Sequence, residues 1–236
     1  MTSKRNFIIT GGSSGIGATI ALEMAKEKHS FYLIGRNEDK LIDVVKKIEE
    51  LDGTAYYGVG DVSNQQEADE LFEEALDKFD GIVDVLIANA GVGYFGNLEE
   101  MSLDEYNAQF DINVRGVFLW IKKVLPNMKK QNSGQIIVTS SNLGLKTAPR
   151  ASIYSATKHA VQAMVGCLRQ ELKGKFKIKV ATINPGSVDT PWFDGKDVDR
   201  TKMLSSIDVA KATRLILDQS DSSDIDYILL SPGSVN

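Results

Sequence analysis

The sequence predicts an α/β protein built on a doubly wound, seven-stranded parallel sheet with helices on both faces. Short β-rich apolar runs alternate with longer helical patterns from end to end of the 236 residues. The strand segments read as continuous apolar runs rather than alternating ones, the pattern of strands covered on both faces. The composition, 42% hydrophobic and 25% charged, is that of a globular chain with enough apolar side chain to fill a full core. Nothing reads as a linker or an internal repeat, so one domain over residues 1–236 is expected.

The elements follow in order. Residues 7–10 form a buried strand, after which Ile16, Ile20 and Met24 recur at helical spacing. A second strand at 31–35 leads into a charged amphipathic helix at 38–51. A third strand at 55–59 precedes a helix at 65–79, and a fourth strand lies at 83–88. Two helical segments, 102–109 and 114–130, lead to a fifth strand at 135–140. A long helix at 154–173, a sixth strand at 177–183, a helix at 206–218 and a last strand at 225–230 complete the pattern.

Composition also excludes functions. A net charge of -5 leaves no basic footprint for nucleic acid or anionic lipid, so neither partner is expected. The one cysteine, Cys167, rules out an intrachain disulfide and reads as a buried, inert thiol within an apolar helical stretch. His29 and His159 share no ligand spacing with it, and no metal site is expected. The chain runs from Met1 into a β pattern with no long apolar segment, so neither a signal peptide nor a membrane span is expected and a cytoplasmic location is the default.

The first strand ends in Thr10-Gly11-Gly12-Ser13-Ser14-Gly15-Ile16-Gly17, and a helix starts inside that run. Glycines here let the chain turn tightly and bring backbone N–H groups up to a pyrophosphate, while the helix N-terminus supplies partial positive charge. At the first strand–helix junction of a βαβ unit, this pattern points to a nucleotide. The second strand ends in Gly35-Arg36-Asn37. A carboxylate there would bond a ribose and repel a 2′-phosphate; Arg36 instead offers a fork of donors suited to a phosphate dianion. That favours NADP over NAD.

With these motifs the sequence resembles the short-chain dehydrogenase/reductase family over nearly its whole length, and a Rossmann-type domain is implied. The family's glycine motif stands at residues 10–17, its Asp-Val pair at Asp61-Val62 and its Asn-Ala-Gly motif at Asn89, Ala90 and Gly91. Its helix asparagine matches Asn113, its serine Ser141, and its Tyr-x-x-x-Lys pair Tyr154 and Lys158. Its Pro-Gly segment matches Pro185 and Gly186, followed by Val188 and Thr190. The resemblance implies cofactor contacts from Gly11, Ser13, Ser14, Gly15, Ile16, Gly17, Arg36, Asn37, Asp61, Val62, Asn89, Gly91, Tyr154, Lys158, Pro185, Gly186, Val188 and Thr190. It also implies a homodimer or homotetramer. The family spacing selects Ser141 over its neighbour Ser140, and adjacent strand residues face opposite sides. The C-terminal Leu229-Leu230-Ser231-Pro232-Gly233 departs from the ending of many relatives and resembles a smaller NADP-dependent set acting on short hydroxy acids or related carbonyls.

Tyr154 and Lys158 are four residues apart on a predicted helix and project from nearly one face. A free tyrosine titrates near ~10; a lysine ammonium and a positive nicotinamide ring would both lower that value. The expected chemistry is hydride transfer between NADP(H) and a small carbonyl or alcohol. Tyr154 serves as acid/base, Ser141 steadies the oxygen, Lys158 holds the ribose and Asn113 holds a water. Trp192 and Phe193 form an apolar wall or pack a short lid, with residues 194–204 forming the rest of that lid. The alternative is a catalytically silent NADP(H)-binding sensor or scaffold, which could have dropped the tyrosine or lysine without cost.

Overall fold

The computed structural model describes residues 4–233. Its centre is a seven-stranded sheet in which every adjacent pair runs parallel. In chain order the elements begin β1 (Asn6–Thr10), α1 (Gly15–Ala25), β2 (Ser30–Gly35), α2 (Glu38–Glu49), β3 (Thr54–Val59), α3 (Gln65–Lys78) and β4 (Val85–Ala88). They continue α4 (Leu103–Phe110), α5 (Val117–Gln131), β5 (Gly134–Thr139), α6 (Ser152–Leu172) and β6 (Ile178–Pro185). Two short strands, β7 (Val188–Asp189) and β8 (Leu204–Ser205), then α7 (Ser206–Leu217) and β9 (Tyr227–Leu230) end the chain.

The strands lie in the order β3-β2-β1-β4-β5-β6-β9. From β1 the chain winds outward to β3, then crosses back to place β4 on the other side of β1. That reversal opens a crevice beyond the carboxyl ends of β1 and β4, the place where open α/β sheets bind ligands.

Strand alternation divides the core in two. Ile8, Tyr32, Ile34, Leu86, Ile136, Val138 and Val180 face α3, α5 and α6. Their neighbours Phe7, Ile9, Phe31, Leu33, Ile87, Ile137 and Ile183 face α1, α2 and α7. Both faces are therefore dry, which is why the strands carry no polar alternation. Helix starts are well specified: Asn37 and Asn64 accept backbone N–H groups at α2 and α3, and Ser102 and Ser205 make reciprocal capping boxes with Glu105 and Asp208.

The fold is as the sequence predicts, and three details differ. The stretch between α4 and α5 does not break; Asp111–Gly116 continues it as π-helical turns. The parallel pair β7–β8, with Val188 opposite Leu204 and Asp189 opposite Ser205, pins both ends of the lid. Cys167 is exposed rather than buried. Helix α6 turns Val161, Val165, Leu168 and Leu172 inward, and Cys167, about 100° around from Leu168, falls on the outer face. Among the described residues no helix is long and apolar enough to cross a membrane.

Candidate active site

A cleft of about 760 Å³ opens at the carboxyl end of the sheet. Its first wall is the turn from β1 into α1. Ser14 occupies the N-cap position of α1 with extended backbone and no side-chain cap bond, so the first N–H groups of the helix lack an intrahelical partner and favour an anion. Gly17 permits the tight return: a Cβ there would stand 2.3 Å from the Gly11 carbonyl oxygen. Gly11 itself has φ +67°, a left-handed conformation that suits glycine.

The loops after β1 and β4 are tied together beneath this turn. The Thr10 hydroxyl accepts the N–H groups of Asn89 (3.0 Å) and Ala90 (3.2 Å), and the Asn89 amide donates to the Thr10 and Gly11 carbonyls. At the far end of the cleft Arg36 and Lys40 lie on the same wall as Ser13, Gly35 and Asp61. The Asp61 carboxylate accepts the N–H (2.8 Å) and hydroxyl (2.7 Å) of Ser63. Burial pushes this acid up, but the Ser63 bonds and the charges of Arg36 and Arg115 outweigh it and hold it below the usual carboxylate range.

Ser141, Tyr154 and Lys158 converge on the cleft floor with Asn89, Gly91, Thr139 and Ser140. Strand β5 ends at Thr139, and Ser141 starts a single 3₁₀ turn, its hydroxyl oxygen accepting the Leu143 N–H at 3.1 Å. Ser140 turns the other way, its hydroxyl 3.4 Å from the Lys158 carbonyl. Lys158 is 4% exposed, its ammonium donating to the Thr139 carbonyl at 3.0 Å and lying 5.7 Å from the centre of the Tyr154 ring.

In the absence of the cofactor's charge, burial sets both acid–base groups. Burial pushes the Tyr154 phenol up to about 12, against a hydrogen bond with Ser141 that lowers it. Burial also brings Lys158 down to about 8. With only this chain's own groups present, desolvation of phenolate and ammonium outweighs their attraction, so Tyr154 is a proton donor across the neutral range.

Asn113 lies in the π-helical segment, fully buried. Its amide donates to the Val92 carbonyl (2.8 Å) and the Thr157 hydroxyl (3.1 Å), and its oxygen accepts the Val92 N–H (2.9 Å). It therefore fastens the loop after β4 and lies behind the cleft wall. Asn37 caps α2 through the Lys40 N–H (2.9 Å), and Gly17 supports the turn from inside. These three are off the cleft lining; the other predicted site residues, including Val62, Pro185, Gly186, Val188 and Thr190, are on it. Lys40, Phe95, Asn142 and Lys196 also line the cleft and carry no motif of their own. Lys40, one helical turn beyond Arg36, was the most accessible to sequence reasoning.

Trp192 and Phe193 face the cleft. The centre of the Trp192 ring lies 6.3 Å from that of Tyr154, edge-on, so the wall reading is the one that holds. Arg200 latches the lid, bonding Asp189 (2.5 Å), Asp194 (2.9 Å) and the Thr190 carbonyl (3.1 Å). No cluster of histidine, cysteine or carboxylates suited to a metal occurs among the described residues.

A glycine-lined helix N-terminus, a cationic far end and a serine–tyrosine–lysine floor define a nucleotide-binding oxidoreductase cleft. The open N–H groups of α1 and the bare Gly11–Gly17 approach suit a pyrophosphate, which is the part of a dinucleotide this turn would hold. Comparison with known proteins agrees. Residues 5–200 match the short chain dehydrogenase family model. An uncharacterised oxidoreductase of Staphylococcus saprophyticus is 34% identical over 226 residues, covering 95% of this chain and 96% of that protein. An alcohol dehydrogenase of Thermococcus sibiricus, solved with 5-hydroxy-NADP, superposes with a TM-score of 0.91 at 29% identity over 99% of both chains. A 3-ketoacyl-(acyl-carrier-protein) reductase of Brucella melitensis, solved with NADH, has a TM-score of 0.89 at 27% identity over 97% of both. The chain belongs to the short-chain dehydrogenase family and is an oxidoreductase of that family.

Proposed function

We propose that the protein is an NADP(H)-dependent reductase or dehydrogenase acting on a small carbonyl compound or its alcohol. The observation that carries this reading is the convergence of Ser141, Tyr154 and Lys158 on the floor of a cleft whose far end presents Arg36 and Lys40. Those two cations and the Ser13 hydroxyl suit a 2′-phosphate dianion, and no carboxylate follows β2 directly to repel it.

When bound, the nicotinamide cofactor supplies or takes the hydride. Tyr154, held protonated by burial, donates its phenolic proton to the substrate oxygen in reduction. The Ser141 hydroxyl donates a hydrogen bond to the same oxygen as charge develops there. Lys158 holds the nicotinamide ribose, Thr190 the carboxamide, and Asp61 with Val62 the adenine end. Asn113 acts by anchoring the Val92 loop; its amide is spent, so a relay water would be held by the backbone of the π-helical segment. The outer faces of α5 and α6 are the proposed homo-oligomer contacts.

The test follows absorbance of the reduced nicotinamide while small ketones, aldehydes and keto acids are offered with NADPH and NADH in parallel. Turnover with NADPH well above NADH is expected, and Arg36→Asp should weaken NADPH and improve NADH. An unchanged preference in that variant removes Arg36 from the role. Tyr154→Phe should retain NADPH binding and lose turnover by a factor of roughly 10³ or more.

A further inference from the structure

The Ser141 hydroxyl has one proton to give and two lone pairs, and the turn after β5 engages it from both sides. Its oxygen accepts the Leu143 N–H at 3.1 Å, and its proton goes to the side-chain carbonyl oxygen of Asn142, Oδ1, at 3.2 Å. Asn142 is itself held. Its backbone carbonyl accepts the Leu145 and Lys146 N–H groups, both at 3.1 Å. Its amide nitrogen lies toward Gly186, where a Cβ would stand 3.4 Å from that nitrogen and 2.9 Å from Pro232 Cδ. Oδ1 is left to Ser141.

The same turn is pressed onto α6. A Cβ on Gly144 would stand 2.9 Å from the Lys158 carbonyl oxygen and 2.7 Å from Ser140 Oγ, so a side chain there would push the turn Asn142–Gly144 away from the helix. Ser141 and Asn142 are thereby set beside Tyr154 and Lys158, and all four line the cleft. Ser141 is also hydrogen-bonded to Tyr154. A serine proton given to the tyrosine oxygen favours phenolate, but one proton cannot serve Tyr154 and Asn142 together. With the Asn142 bond made, Ser141 has only its remaining lone pair to offer, and the phenol is the donor.

We propose that Asn142 is a positioning residue for the reaction: its side-chain carbonyl holds the Ser141 proton away from Tyr154 until a substrate oxygen takes its place. This rests on the reductase reading for the roles of Ser141 and Tyr154. At rest Tyr154 donates to Ser141 and Ser141 to Asn142. A substrate oxygen entering between Tyr154 and Ser141 draws the serine hydroxyl off Asn142. The proton transferred is that of Tyr154, which is left as phenolate; the Ser141 O–H bond stays intact and only donates. The charged side chains lining this cleft are Lys158 on α6, Lys196 on the lid, and Arg36, Lys40 and Asp61 at the dinucleotide end. They are the same in every variant compared below.

The experiment titrates Tyr154 in the cofactor-free protein by phenolate absorbance, each protein being subtracted against its Tyr154→Phe counterpart so that the remaining tyrosines cancel. In the wild type, Ser141 must give up its bond to Asn142 before it can reach the phenolate; in Asn142→Leu it need not. One neutral hydrogen bond moves the titration down by roughly half to one pH unit. Asn142→Ala should act alike, and Asn142→Asp, which keeps an acceptor for Ser141, should titrate at or above the wild-type value. In a Ser141→Ala background Asn142→Leu should move nothing, whereas a general loosening of the turn would act with or without Ser141. The alkaline rise of kcat/KM for alcohol oxidation with NADP should move with the titration.

A titration that Asn142→Leu and Asn142→Ala leave in place, one that falls in Asn142→Asp, or a shift that persists without Ser141 would overturn the proposal. The two readings fail separately. An unmoved titration in a protein that oxidises NADPH with a ketone leaves the reductase standing and removes Asn142 from its role. A Ser141-dependent shift in a protein that turns over no carbonyl compound leaves the hold of Asn142 on Ser141 standing and removes the reductase.

Discussion

At the scale of single residues, the site sacrifices stability for reactivity. Lys158 is an ammonium almost without solvent, and burial brings it from 10.5 to about 8. A base whose folded value is lowered costs stability wherever the unfolded chain keeps the proton. Its contribution is whole above pH 10.5 and is lost as pH falls from there to about 8, so the full penalty applies at neutrality. Lys158→Met should therefore abolish turnover while raising stability by about 1–3 kcal/mol at pH 7, measured by denaturant unfolding; orphaning the Thr139 carbonyl sets the lower figure. Tyr154 moves the opposite way, up to about 12. In the cofactor-free protein its phenolate absorbance should be absent through the range where ordinary tyrosines titrate.

At the scale of elements, the lid is a latch rather than a loose loop. Arg200 joins Asp189 at the end of β7 to Asp194 and Thr190, while β7–β8 closes its base. Exposed ion pairs contribute little to global stability, yet three bonds to one guanidinium fix a segment that carries two cleft walls. Arg200→Ala should raise KM several-fold, expose residues 194–203 to limited proteolysis and leave Tm within a few degrees; an unchanged KM would deny the latch its role. Helix α5 holds a different local conflict in Pro126. Proline there removes a helical N–H and crowds the preceding turn, and this position is solvent-exposed. Pro126→Ala should raise stability by roughly 1–3 kcal/mol in thermal or chemical unfolding.

At the scale of the molecule, catalysis and a buried histidine occupy opposite ends of the sheet. His29 lies just before β2, is fully buried, stacks on Phe7 and accepts the Arg5 N–H at Nδ1, with Nε2 3.6 Å from Glu27. Burial, helped by the charge of Arg5, lowers it to about 4, with Asp218 and Asp84 opposing and Lys4 adding to the effect. Its neutral form is the one that fits. Stability is whole above about pH 6.5 and falls by up to about 3 kcal/mol as pH drops toward 4. The midpoint of urea unfolding should decline over that interval, and the decline should flatten in His29→Phe.

How much was legible in the chain follows from what each signal depends on. Doubly covered strands and the glycine turn are local matters of burial and backbone approach, and both were readable in order, whereas the helix caps at Asn37, Asn64, Ser102 and Ser205 emerged only from the structure. Tyr154 and Lys158 were readable as a pair because helical periodicity alone puts them on one face. Cys167 was misjudged because an apolar stretch does not reveal which side of α6 its neighbours occupy. The direction for Tyr154 in the cofactor-free protein was not readable, because burial of its phenol depends on the tertiary fold. The sequence by itself determined the sheet, the nucleotide turn and the reacting residues, since these rest on short-range geometry. Tertiary structure alone decided the burial of Tyr154 and Lys158, the anchoring role of Asn113 and the Arg200 latch, since each depends on side chains brought together across the fold.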